Sequence, residues 1–259
     1  MAVAFVKALQ AAGGTSTVNS TTIAITTNGA VAAGNHIIGF YTNRLTNATT
    51  LSSVAATGAT FQVDGTGSGA AGTTEGWGLF SAFCASGLAS GTTIIATLSA
   101  ASTRKTMSCF EFSGLATTSW AYSPAVSNNG NPAPASPVTI GTLSGLTAGD
   151  LVVSVIQYNN STGTIGQITA GSGWTSPTAA TGGNSIVGAS SWDESLFEYI
   201  AGVAGTSQAA TFSWSVDNAY AAGAVAYHQA SVAPSPPPRP QIVIARPMAT
   251  MPQPLTAWR

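Results

Sequence analysis

The sequence predicts an all-β protein: two tandem antiparallel β-sandwich domains followed by an extended, proline-rich C-terminal arm. Three observations carry that expectation. Short runs of β-branched and aromatic residues recur between clusters of Gly, Asn, Asp and Ser. No convincing helical period is sustained, and the chain reads as two diverged copies of a segment of about 115 residues.

The strands can be taken in order. Ser20-Thr-Thr-Ile-Ala-Ile-Thr and Thr92-Thr-Ile-Ile-Ala-Thr-Leu alternate apolar and polar residues in the first copy, as Ala210-Thr-Phe-Ser-Trp-Ser-Val does in the second. That period of two is the mark of a strand with one buried face. Asn28-Gly-Ala-Val-Ala-Ala-Gly-Asn-His-Ile-Ile reads like Ser144-Gly-Leu-Thr-Ala-Gly-Asp-Leu-Val-Val, which brings Gly34 and Gly149 into register. Further marks follow in the same order at offsets between 113 and 117: Thr60-Phe61 with Gly173-Trp174, Leu79-Phe80 with Leu196-Phe197, Gly91 with Gly205, and Cys109-Phe-Glu-Phe with Ala224-Val-Ala-Tyr. The alanine-rich 219–227 segment is helical by propensity, but its counterpart around Cys109 alternates as a strand, and the duplicate overrules propensity. Seven to nine short strands per copy suit a jelly-roll or an immunoglobulin-like topology, and both stay open.

The expected boundaries are 1–117 for the first sandwich, 118–230 for the second and 231–259 for the arm. Eight of the thirteen prolines lie between Pro234 and Pro254, whereas none of the twenty-nine glycines does. Within the arm, Gln241-Ile-Val-Ile-Ala is free of proline and β-branched enough to add a strand to an exposed sheet edge. Ile242 and Ile244 would face one side and Val243 the other. Arg239, Arg246 and Arg259 have no acid nearby in their own segment, and Trp258 supplies a large anchor, so these seven residues are the expected partner-binding set.

Charge excludes several functions. Charged residues make up 6% of the chain, and the net charge is −1. Up to residue 230 there are four cations and eight acids, too few cations to neutralise a run of phosphates, so nucleic acid is not an expected partner. No run approaches the length of a membrane span, and the N-terminus lacks the basic-then-apolar order of a secretion signal. Cys84 and Cys109 read as buried thiols or as one intradomain disulfide.

The chain offers little for catalysis or metal binding. His36 and His228 stand in no nucleophile or metal-ligand motif, and no cofactor is expected. Asp193-Glu194 with Glu198 is the densest acidic group. On a strand, Glu194 and Glu198 would share a face and Asp193 the other, so the group is expected to be a solvated edge, with a cation site and paired-carboxylate hydrolysis as alternatives. Asp64-Gly-Thr-Gly-Ser-Gly opens no helix, so it reads as a hairpin connection rather than a phosphate loop. Trp77, Trp192 and Tyr220, with Trp174 and Trp214, are the residues from which a stacking platform for sugars would be built. The alternative is that they fill the core.

The Ala148-Gly-Asp-Leu-Val-Val and Gly34-Asn-His-Ile-Ile motifs, the Gly173-Trp-Thr turn and the Pro238-Arg-Pro-Gln-Ile-Val-Ile-Ala-Arg-Pro tail resemble those of tailed-bacteriophage accessory virion proteins, the head decoration and minor tail proteins of actinobacterial phages. The resemblance implies a structural, non-enzymatic role on the virion after assembly in the host cytoplasm. It also implies partners among capsid or tail subunits, a homo-oligomer, and a host-surface glycan as a further partner.

Overall fold

The computed structural model describes residues 1–231 apart from 12, 45–48, 70–74, 119–120, 131–136, 161–162, 188–191 and 215–218, with backbone only at 121–125, 130, 181, 186 and 192. The expected arm residues Arg239, Ile242, Val243, Ile244, Arg246, Trp258 and Arg259 lie outside the described residues.

The described chain is all-β. Its first half contains β1 (Ala4–Ala8), β2 (Gly14–Ser16), β3 (Ser20–Thr26), β4 (Asn35–Arg44), β5 (Leu51–Ala55), β6 (Phe61–Ser68), β7 (Gly76–Cys84), β8 (Thr93–Ser102) and β9 (Arg104–Ser113). The second half contains β10 (Ala121–Gly130), β11 (Val138–Ser144), β12 (Leu151–Asn160), β13 (Ile168–Ala170), β14 (Asn184–Val187), β15 (Trp192–Ala201), β16 (Ser207–Trp214) and β17 (Tyr220–Tyr227), with one 3-10 turn at Ala179–Thr181.

These strands form four antiparallel sheets. The first half makes a large sheet in the order β1-β9-β4-β7-β6, with β2 also on β9, and a small sheet β3-β8-β5. The second half makes a large sheet β10-β17-β12-β15-β14 and a small sheet β11-β16-β13. Each position in the first pair of sheets has its counterpart in the second, β2 aside. Gly34, Gly58 and Gly87 have positive φ, and so do Gly149, Gly173 and Gly202, each 115 residues further on. Gly34 and Gly149 turn the chain into β4 and β12, and a residue with a Cβ would be strained there.

Alternation places one face of each small sheet in a core. On β3 and β8, Ile23, Ile25, Ile94, Ala96 and Leu98 point inward and pack with Ile37, Tyr41 and Phe80 of the large sheet. In the second half Ile140, Leu143, Phe212 and Trp214 pack with Val152, Ile156 and Leu196 in the same way.

The large sheets do not alternate in this way. Along β4, β9, β12 and β17 nearly every residue is buried. The reason is a third core cluster, in which Ile38, Phe40, Leu79, Phe110 and Phe112 of one large sheet meet Val153, Val155, Phe197, Val225 and Tyr227 of the other. Phe110 stacks on Phe197 at 4.6 Å between ring centroids. The sheets are therefore layered small, large, large, small, and the central pair have two buried faces, which continuous apolar runs satisfy. Trp77 packs against Gly223, where a side chain would overlap its ring.

Burial corrects one match between the copies. Leu79 faces the central cluster, whereas Leu196 faces its own half's core. Phe197 is the counterpart of Leu79, and Glu198 that of Phe80, because the strand containing them shifts by a residue relative to the flanking marks. Cys109 and Ala224 both face their own half's core, and Phe112 and Tyr227 both face the central cluster, as their alignment requires. Cys84 and Cys109 are buried free thiols, so the disulfide alternative falls.

Candidate functional site

The densest acidic group is not a solvated edge. Asp193, Glu194 and Glu198 all have zero exposure. They share no site, because β15 sends Asp193 towards the other half and the two glutamates towards their own core.

Asp193 is the centre of an ionic lock between the halves. Its Oδ1 is 3.0 Å from Arg44 Nη1, and its Oδ2 is 2.9 Å from Arg104 Nη1. Arg44 also reaches Glu75, 3.3 Å from its Nε, and donates to Asn159. Two arginines from the ends of β4 and β9 thus hold a carboxylate of β15, with Glu75 balancing the second cation. Thr42 and Ser195 hydroxyls meet at 2.6 Å beside it, and Ser195 donates to Gln157. On the far edge of β6, Asp64 accepts from Tyr227 Oη at 2.8 Å, and burial raises its carboxyl to about 6.

Glu194 accepts from Asn160 and Asn184 side chains and from the Gly166 and Gln167 amides, which anchors the chain between β12 and β13. Glu198 accepts only from Gly171 N, at 2.9 Å, its Oε1 is unpartnered, and burial raises it to about 9. These are structural tasks, and none assembles a nucleophile, base and cleft. Among the described residues no group of three or more His, Cys, Asp or Glu is placed to hold a metal ion.

Two corresponding turns are closed by carboxylates, one reaching in from a neighbouring strand and the other supplied by the turn itself. Glu111 on β9 accepts from Ala32 N and Asn35 Nδ2 and pairs with Lys7 at 3.2 Å. At the corresponding turn Asp150, which stands in the place of Asn35, accepts from Thr147 N and Gln229 N and meets His228 Nδ1 at 3.3 Å. His36 is buried against Phe83, and desolvation lowers it to about 4. Lys105 is buried too, its three N–H donors shared among Val18 O, Ser20 O, Ser20 Oγ and Ser102 O.

The aromatic platform is not on the surface. Trp77 and Tyr220 are 2% and 1% exposed, and Trp174 and Trp214 lie in the second-half core. Trp77 fills the joint between the halves, and Tyr220 packs on Trp214 at 5.1 Å, so neither offers a ring face to a sugar. The side chain of Trp192 is outside the described residues.

The surface is what remains once the charges have been placed. Among the described residues no Asp, Glu, Lys or Arg is exposed: seven are buried, and Lys7, Arg44, Asp64 and Arg104 are half-buried. The outer face of β3-β8-β5 presents Thr22, Thr97 and Ser53 in one row and Ala24, Ile95 and Ala55 in the next. The outer face of β11-β16-β13 presents Thr139 beside Thr211 and Thr169 beside Ser213.

No family model, curated protein or solved structure matches this chain.

Sequence reasoning missed Arg44, Arg104, Glu75 and Asn159 as a unit because they come from four separate strands and loops. The signal was indirect: an acid inside a strand of apolar residues needs a buried partner.

Proposed function

We propose that this chain is a structural virion protein of a tailed bacteriophage, a capsid decoration protein that binds neighbouring virion subunits. In this reading it is a tandem pair of jelly-roll-like sandwich domains, bounded near residue 117, with the arm from residue 231 as its principal contact. In each half the first strand lies beside the last and the second beside the penultimate (β2 aside), which is the wrapping of a jelly roll, with the fifth strand kept as a hairpin on the sixth.

The observation that carries the proposal is the distribution of charge. Among the described residues the body spends its few charges on internal contacts and turns two uncharged faces outward, mostly of Thr, Ser and Ala with Ile95. A free monomer gains colloidal stability from surface charge, and a surface without it favours association. Two stacked halves locked by a central core suit a rigid spacer between subunits, and the proline-rich sequence of the arm suits docking on an edge or groove of a partner. A location on the tail, as a minor tail protein or receptor-binding module, is the alternative.

Deleting residues 231–259 and following incorporation into purified particles tests it. The truncated chain should stay folded and be lost from the particle, whereas unchanged incorporation and particle stability would overturn the assignment to the arm. Imaging labelled protein on intact particles separates head from tail, and its absence from both would overturn the virion reading.

A further inference from the structure

A groove of about 460 Å3 opens where the halves meet, between β1 with the turn that follows it and the 176–180 segment ahead of β14. Its volume and its place at a junction of two units are those of small-molecule sites. Phe5, Ala8, Ala11, Pro177 and Ala180 line it with apolar surface, and Lys7, Gln10, Asn28, Ser176 and Thr178 supply polar groups.

The chemistry narrows the ligand. Among the described residues Lys7 is the one charged residue in the lining, and Glu111 behind it, 1% exposed, pairs with it at 3.2 Å. The pair is neutral overall, so the groove has no net charge with which to attract an anion or a cation. An ammonium has three N–H donors. Glu111 and the Ala30 carbonyl engage it, and the side chain is still 41% exposed, so it can donate to a neutral oxygen. Phe5 is fixed in advance, stacked on Tyr199 at 5.3 Å and edge-on to Phe112 at 5.5 Å. A rigid aromatic and a proline beside amide and hydroxyl groups complement a ligand with apolar C–H faces and a rim of hydroxyls.

We infer that this groove binds a neutral saccharide of one or two rings, seated against Phe5 and Pro177 with its hydroxyls on Lys7, Asn28 and Thr178. The site is distinct from Trp77 and Tyr220, and it does not depend on where in a particle the protein resides.

The full chain should be titrated with glucose, galactose, N-acetylglucosamine and maltose by calorimetry and by saturation-transfer NMR, with glucuronate as the charged control. Saturable millimolar binding to at least one neutral sugar is expected, with glucuronate no tighter. Ala180→Trp fills the groove from an exposed position and should weaken binding by about 10-fold or more with an unchanged Tm. Thr178→Trp serves if that variant does not fold. No saturable binding to any of the neutral sugars, or binding that survives a folded groove-filling variant, overturns the inference.

Discussion

Ser154 faces Glu198 across the β12–β15 ladder, and the matching pair in the first half is Gly39 facing Phe80. In the first half the Phe80 ring lies over the bare backbone of Gly39, where a Cβ would overlap it. In the second half a carboxyl and a hydroxyl take that place, and neither Glu198 Oε1 nor Ser154 Oγ has a partner. One core position is thus apolar in one copy and titratable in the other.

The pH dependence of stability follows from Glu198. Burial raises it from 4.5 to about 9, so the fold favours the protonated acid, and its contribution is complete below 4.5 and lost as pH rises towards 9. His36, lowered from 6.5 to about 4, acts the other way but only below 6.5. Between about pH 6.5 and 9, stability should therefore fall by up to about 1.4 kcal/mol per unit. Glu198→Gln should flatten that slope in urea unfolding followed across pH, and an unchanged slope would remove Glu198 as its source.

The Asp193 lock should be unforgiving. Asp193→Ala leaves Arg44 and Arg104 facing each other, 16% and 12% exposed, without their shared anion. Removing one partner of a buried ion network costs about 3–5 kcal/mol. A double-mutant cycle with Arg104→Met should show strong coupling, and additive losses would mean the contact is energetically idle.

Gly223→Ala tests the joint between the halves. The added methyl would enter the Trp77 ring, and overpacking of this kind costs about 1–3 kcal/mol. Trp77 emission should shift as the ring moves, and a variant with wild-type stability and spectrum would contradict the packing.

Gly34→Ala isolates backbone strain. At φ 85° nothing stands within 4 Å of the added carbon, so the loss of about 1–2 kcal/mol is conformational. Gly149→Ala should cost more, because its methyl also meets the Gln229 carboxamide, which donates to Met1 O at 2.7 Å. Equal losses by thermal unfolding would show that this clash relaxes.

The sequence by itself determined the strand class, the turn glycines and the faces of the outer sheets, because these depend on local period and on local backbone geometry. Ile23 and Ile25 between threonines can serve only a half-buried strand, and Gly34 and Gly149 mark one turn twice. Phe110 and Phe112 were legible as one face of an alternating strand but not as the filling between two large sheets, since a strand buried on both faces reads alike whatever covers its second face. The acids were misread for the same reason: Asp193 is solvated or buried according to whether Arg44 and Arg104, 149 and 89 residues away, reach it. Only the tertiary structure brings those cations to it, because the energy of a buried charge is set by neighbours in space and not by neighbours in the chain.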